Sequence, residues 1–372
     1  MEKKHGSMLV CLIVALLLLT GCWDARDVKD LSLATMMILD KVGDEYTFTV
    51  EFPTIIPIGA EGGSSSAKSV YLKSRGTDLP KARDDIENQL EKPLYLGTLQ
   101  TLVVTERAAR DEMSEYLLRL REDLSYRQKV ILAVTREEPD AFTQQEDKAT
   151  SGGTSNMDDL LTTIEQGGRT YHKTTAAYTE DILNKRGFVI HCIGLRDKKI
   201  ELVGYSVFRD TKCVGFIPVE ESRGLIWLLA DNPMWNYRVP YQDGFATEEV
   251  RLSKRKIVPS YENGEIRFYL QLELDALVQY VSHDGLFPLN ETALKEIKAQ
   301  VEDMIYQELQ STVDRSQKEF QSDYLLLGDA FRIAYPDAFD AMDWEQAYPN
   351  AQIQVQTKVD LKVTPRMNYS PS

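Results

Sequence analysis

The chain opens on Lys3 and Lys4, an unbroken apolar run from Met8 to Leu19, and the small residues Thr20 and Gly21 ahead of Cys22. This start constrains the fold more than any other feature, because it decides which residues fold at all. A charged beginning, a short greasy run and small residues before a cut site are the three parts of an export signal. The run is too short for a lasting membrane span: at about 1.5 Å per residue its helix would reach roughly 20 Å, against about 30 Å of hydrocarbon. Residues 1–21 are therefore expected to be a signal peptide, cut between Gly21 and Cys22, and to belong to no domain.

The ending Leu19-Thr20-Gly21-Cys22 resembles a bacterial lipobox, in which the cysteine thiol takes a diacylglyceryl group and becomes the first residue of the mature chain. An ordinary signal with an incidental Cys22 is the weaker reading, since position and flanks both suit lipidation. Each buried CH2 contributes about 0.8 kcal/mol, so two or three acyl chains hold firmly where one does not. No Gly/Ser tether follows, because Trp23 and Asp24 lead directly into a segment that turns strand-like by Leu31. The eight residues from Trp23 to Asp30 reach at most about 27 Å at about 3.4 Å each, which keeps the folded part close to a bilayer. Trp23 suits the headgroup level, and suits packing on the first domain equally well.

The formal charge of −15 becomes −16 once Glu2, Lys3 and Lys4 are removed. Such a field does not draw the chain to nucleic acid or to anionic headgroups, so any membrane attachment must be local. The four cysteines, at positions 11, 22, 192 and 213, form no CxxC or CxxH pair. Neither a disulfide-built scaffold nor a structural metal is expected, and the lipid on Cys22 is the one non-protein group.

With 372 residues the chain can form two or three domains. "LATMMILDKV" and "YTFTVEFP" read as a hairpin around Gly43-Asp44-Glu45, and "IPIGAEGGSSSAKS" reads as an exposed loop without the Gly-Lys-Ser/Thr of a phosphate cradle. Asp78 caps a predicted helix with Pro80 in its first turn and Leu79, Ala82, Ile86 and Leu90 at helical spacing. "GTLQTLVVTE", "RDEMSEYLLRLRED" and "RQKVILAVT" then alternate strand, amphipathic helix and strand, which predicts a mixed sheet covered by helices. After two more helical stretches, "NMDDLLTTIEQ" and "HKTTAAYTEDILNKR", the character changes at Gly187 to a meander, "FVIHCIGL", "KIELVGYSVF" and "KCVGFIP". "EESRGLIWLLA" predicts a helix, "EEVRLSKRKIVPS" and "EIRFYLQLELDALVQY" a hairpin turning at Glu262-Asn263-Gly264, Asn290 to Glu319 a long amphipathic helix, and "AQIQVQTKVDLKVT" a closing strand. The expected class is α+β and multi-domain. Small mixed or antiparallel sheets each carry helices, and a long amphipathic helix crosses a sheet in the C-terminal half. The expected division is 22–190 as an N-terminal mixed α/β domain and 191–366 as a C-terminal α+β region with room for two subdomains.

No enzyme is expected. The mature chain keeps His172, His191 and His283, and neither HExxH nor Gly-x-Ser-x-Gly occurs. Paired acids such as Asp84-Asp85 and Glu220-Glu221 fall in first helical turns, where the helix dipole accounts for them. A disulfide between Cys192 and Cys213 is chemically permitted outside the cytoplasm, although another predicted strand lies between them in sequence; two buried thiols are the alternative. Arg251, Lys254, Arg255 and Lys256 form the one compact basic cluster, a candidate contact for headgroups or an acidic partner. Strand alternation would divide its side chains between two faces.

Cys22-Trp23-Asp24 followed by "DLSLATMMILDKVGDEYTFTVEFP" resembles the C-subunit lipoproteins of spore germinant receptors, the Ger(x)C family. The likeness continues in "LEKPLYLGTLQTLVVTERAAR", "YLLRLREDLSYRQKVILAVT" and "LVGYSVFRDTKCVGFIPVEESRGLIWLLAD", where Glu-Glu-x-Arg-Gly-x-x-Trp is the most specific string. The chain departs from the family pattern at Thr98, where a histidine usually follows Gly97, at the reduced element Leu326-Leu327-Gly328-Asp329, and in lacking the Arg-Arg-x-Gly tail. The resemblance implies a lipoprotein on the outer face of the inner spore membrane, working with two integral membrane receptor subunits so that nutrients trigger germination. It also implies three small mixed α/β domains. Direct nutrient binding by this chain is not expected. The alternative is an extracytoplasmic solute-binding lipoprotein of a transporter, which would show two strand-helix lobes around a cleft.

Overall fold

A computed structural model describes residues 27–363, apart from 59–63, 112, 123–125, 127–128, 144–154, 198 and 283–288. A 3-10 turn, Val28–Asp30, leads into β1 (Ser32–Leu33), β2 (Met36–Val42), β3 (Glu45–Ile58) and β4 (Ser64–Gly76). Helix α1 (Leu79–Glu87), β5 (Leu94–Tyr95), β6 (Thr101–Thr105), α2 (Glu106–Asp111), α3 (Ser114–Glu122) and β7 (Ile131–Thr135) follow. Next come α4 (Pro139–Thr143), α5 (Ser155–Gln166), α6 (Thr175–Leu183), β8 (Phe188–Arg196), β9 (Lys199–Arg209) and β10 (Lys212–Pro218). The remainder holds α7 (Arg223–Leu229), β11 (Met234–Tyr241), β12 (Gly244–Glu262), β13 (Glu265–Val281), α8 (Glu291–Asp314), α9 (Leu327–Ala334), α10 (Pro336–Asp340), α11 (Trp344–Ala347) and β14 (Gln352–Val363).

The first sheet has eight strands in the order β10-β9-β8-β7-β6-β2-β3-β4. Its centre, β2, β6, β7 and β8, is parallel, and both flanks are antiparallel. The central strands are largely apolar because both faces are covered, as parallel sheets require. Met37, Leu39, Leu102 and Val104 meet α1, α2, α3 and α6 through Ala82, Ala109, Leu117 and Tyr178. The alternate residues Met36, Ile38 and Val103 meet α4 and α5 through Phe142, Met157 and Leu161. The predicted boundary at 190/191 falls inside β8, in the interior of this sheet, and the meander β8-β9-β10 extends the N-terminal sheet.

The second sheet has the order β11-β12-β13-β14. Asn263 and Gly264, at φ 51° and 84°, make the two-residue turn between β12 and β13 in the left-handed conformation that such hairpins need. Helix α8, capped by the Asn290 side chain on Ala293 N at 2.9 Å, lays Ile297, Val301, Ile305, Leu309 and Val313 onto the sheet. It is the predicted long helix, and its last stretch, Arg315–Glu319, opens into a π turn. β14 then returns parallel to β13. The core beneath α8 includes Val189, Tyr205, Val207 and Ile217 of the first sheet, so one apolar cluster joins the two sheets.

The predicted loop "IPIGAEGGSSSAKS" is mostly strand. β3 and β4 pair from Tyr46↔Gly76 out to Ile58↔Ser64, and only 59–63 lie outside the described residues. β3 accommodates Pro53 and Pro57 because beyond Glu51 it has β4 alone beside it, and proline is tolerated where one side of a strand is unpaired.

Candidate functional site

Gly21 and Cys22 lie outside the described residues. The chain is fastened soon after them. The Asp27 side chain accepts Lys29 N at 3.1 Å, Ser32 Oγ donates to Lys92 O at 3.0 Å, and β1 pairs parallel with β5. Thr98 donates its hydroxyl to Ala34 O at 2.9 Å, so the residue that departs from the family histidine ties this entry segment down.

Cys192 and Cys213 are free, buried thiols. The permitted disulfide is not formed, because the two lie on β8 and β10 with β9 between them. Burial pushes the Cys192 thiol up to about 12 and raises Cys213 as well.

The basic cluster does not make one patch. An irregularity between Leu252 and Lys254 places Arg251, Lys254 and Lys256 opposite Asp275, Glu273 and Gln271 on the outer face of the second sheet. Arg251 is paired with Glu249 at 2.8 Å. Arg255 turns to the other face, where its guanidinium donates to Trp227 O at 3.1 Å and to Ala230 O, at the C-terminal end of α7. There a cation complements the helix dipole.

His191 is buried, with Nε2 2.8 Å from Thr170 Oγ1, which also meets Tyr205 OH at 2.7 Å. Burial, with His172 nearby, lowers its pKa to about 3, so it stays a neutral packing residue. His172 Nδ1 lies 3.4 Å from Glu165, and His283 lies outside the described residues. The carboxyl ends of β2, β6 and β7, where open α/β sheets commonly hold ligands, are occupied by an ion network. Asp40 accepts Thr105 Oγ1 at 2.5 Å and Arg107 Nε at 2.6 Å, and Arg107 bridges on to Glu138 at 2.8 Å. Burial opposes the Asp40 charge, but Arg107 and Thr105 hold its pKa below the ordinary value.

The string Glu220-Glu221-Ser222-Arg223-Gly224-Leu225-Ile226-Trp227 is a docking device between α7 and α8. Glu221 pairs with Arg315, Arg223 reaches Glu308 at 3.4 Å, and its guanidinium lies 5.0 Å from the Trp235 ring. Trp227 Nε1 donates to Tyr237 OH at 3.0 Å, and Tyr237 OH donates to Glu308 at 2.5 Å. A Cβ at Gly224 would stand 2.3 Å from Glu308 O.

A cleft of about 350 Å3 lies between the turn Asn184–Gly187 and helices α9 to α11. Arg186 crosses it to Asp329 at 2.9 Å. At its inner end Asp323 accepts Leu327 N at 3.0 Å, Gly328 N at 2.6 Å and Trp344 Nε1 at 2.9 Å. Burial nevertheless pushes its pKa up to about 7. Glu248 was equally hidden from sequence reasoning. It is 0% exposed, neither carboxylate oxygen has a hydrogen-bond partner among the described residues, and burial pushes its pKa up to about 8. Its position at an inward place in the alternation of β12 was the one available signal.

Residues 24–195 match the family model "Spore germination protein N-terminal domain", and residues 203–364 match "Spore germination B3/ GerAC like, C-terminal". Spore germination protein B3 of Bacillus subtilis (strain 168) is 21% identical over 93% of this chain and 94% of its own length. Spore germination protein KC of the same organism is 22% identical over 95% of each. The crystal structure of the GerBC protein superposes with a TM-score of 0.59 at 17% identity, covering 87% of this chain and 96% of that one. An α+β chain matched almost end to end in this way is a spore germination protein. It belongs to the GerC family, the C subunits of spore germinant receptors.

Proposed function

We propose that the chain is the lipid-anchored C subunit of a nutrient germinant receptor. A diacylglyceryl group on Cys22 would hold it to the outer face of the inner spore membrane, where it docks on two integral membrane subunits and keeps the receptor competent to respond to nutrient. The observation that carries this reading is the pair of family matches, which together span residues 24–195 and 203–364. Its mechanism is assembly. An anchored subunit meets membrane partners at a raised effective concentration, so modest contact surfaces suffice. The ion network around the buried Asp40 and the α7–α8 lock of Arg223, Trp227 and Glu308 make the chain a rigid platform for such contacts.

The test is isolation of the tagged chain from detergent-solubilised spore membranes. Two multi-span proteins should co-purify with it, and nutrient should not bind tightly to the folded part alone. Recovery of the chain alone, together with tight binding of a small nutrient, would replace this reading with that of a transporter's solute-binding lipoprotein.

A further inference from the structure

The cleft of about 350 Å3 between the turn Asn184–Gly187 and helices α9 to α11 is built as a socket with an apolar wall and an acidic rim. Phe339, Met342 and Trp344 form the wall, and all three are only half-buried. Trp344 is fixed from three sides. Its ring stacks on Phe331 at 5.3 Å, its Nε1 donates to Asp323 at 2.9 Å, and it leans over Gly328, where a Cβ would stand 2.6 Å from that nitrogen. Phe339 lies beside it at 5.4 Å between ring centroids. Rigid aromatic side chains around a pocket are what an anchor residue of a protein partner fills. The charge around this wall is one-sided. Asp337, Asp340, Asp343 and Glu345 fall within nine positions, no Lys, Arg or His occurs from 333 to 357, and none of the four is in an ion pair among the described residues. Burial, together with Asp210 and Asp343, raises the pKa of Glu345, which Arg209 and Lys185 only partly offset. The guanidinium groups of the facing wall are already engaged: Arg186 holds Asp329 at 2.9 Å and Glu180 at 3.4 Å, and Arg332 holds Asp329 at 3.4 Å.

The cleft also lies at the end of the first sheet where the chain enters. β2, β6, β7 and β8 are parallel, so Gly187, just before β8, and Thr35, just before β2, stand at the same end of their strands. Three strand spacings separate β2 from β8, about 14 Å. The β3–β4 arm is on the other side of β2, so it does not stand over the cleft. We propose that the cleft receives an extracytoplasmic loop of a membrane partner, which seats an apolar side chain against Phe339, Met342 and Trp344 and sets a Lys or Arg against Asp343 and Glu345. The inference deepens the receptor-subunit reading given above and rests on it. A basic loop supplies the cations that this segment of the chain lacks and relieves the repulsion among its four carboxylates. The apolar anchor gives the contact its affinity, and the charges on the rim select the partner and its register.

The test uses the tagged full chain in spore membranes and has two arms. In the first, a photo-crosslinking aromatic amino acid replaces Phe339 or Met342, and irradiation should join the chain to an integral membrane protein through a peptide that carries Lys or Arg. In the second, the double variant Asp343→Lys and Glu345→Lys is compared with Asp44→Lys and Glu45→Lys, the same charge change at exposed residues of the opposite end of the first sheet. The first pair should lower the yield of co-purifying membrane subunits about tenfold, and the second should leave it unchanged. Crosslinking is read with the native charges in place, so it decides the matter even where a charge variant accumulates poorly. Crosslinks that reach only a second copy of this chain or no protein at all overturn the docking site, as does full co-purification by the variant at 343 and 345. The receptor reading stands in those cases as long as the parent chain still brings down membrane subunits. A parent chain that brings down none overturns that reading and this inference with it.

Discussion

At Gly224 the backbone of α7 comes so close to α8 that a single methyl group has nowhere to go. A Cβ there would lie 2.2 Å from Thr312 Oγ1 and 2.3 Å from Glu308 O, and the carbonyl belongs to a helix that cannot give way cheaply. Gly224→Ala should destabilise the chain by about 2 kcal/mol, in the range of overpacked cores, as read from urea unfolding of the folded part. An unchanged midpoint would show that α7 can shift. The Glu-Glu-x-Arg-Gly-x-x-Trp string was visible in sequence as a resemblance, but its physical role was not, because Glu308 lies 85 positions beyond Arg223 and Arg315 lies 94 beyond Glu221. Glu248 supplies a pH signature. A carboxyl whose folded pKa, about 8, exceeds the ordinary 4.5 keeps a proton that the unfolded chain releases. Its contribution to stability is complete below about 4.5 and is lost as pH rises through about 8. Glu248→Gln should therefore match the parent near pH 5 and exceed its denaturation midpoint near pH 9. Equal midpoints at both pH values would contradict an uncompensated buried carboxyl.

At the scale of elements, α8 is the main support of the second sheet. Ile297, Val301, Ile305 and Leu309 follow one another at four-residue steps and are all fully buried. Ile305→Ala should cost about 2–5 kcal/mol and lower the thermal midpoint of the folded part. A loss well under 1 kcal/mol would mean that the helix does not carry the core. This element was legible from Asn290 and its apolar spacing, as were α1 from Asp78 and Pro80 and the β12–β13 hairpin from Asn263-Gly264. The outer part of β3 was not. Pro53, Pro57 and the Gly/Ser run are turn signals anywhere except on a strand with one free side, and which side is free depends on where β2 begins. For the basic cluster, alternation foresaw a division between faces, but the irregularity before Lys254 decided which residue turned inward.

On the scale of the whole molecule, strand order is the information that local patterns lack. Periodicity identified β8, β9 and β10 as a meander, yet their attachment to β7 depends on contacts with residues far back in sequence, so the first sheet runs across the expected boundary at 190/191. Val189, Tyr205, Val207 and Ile217 then join the core under α8, which couples the two sheets. The family was legible because its strings are contiguous, whereas the cleft at Arg186 and Asp329 was not, because its walls are 143 positions apart. The central claim is that this chain works as a lipid-anchored receptor subunit, and Cys22→Ala tests it most directly. Spores carrying the variant should lose the chain from the inner-membrane fraction, and nutrient-triggered germination should fall to that of spores lacking the chain. A variant that stays in the membrane fraction with germination intact, beside a parent chain whose Cys22 carries no acyl group by mass spectrometry, would contradict the account.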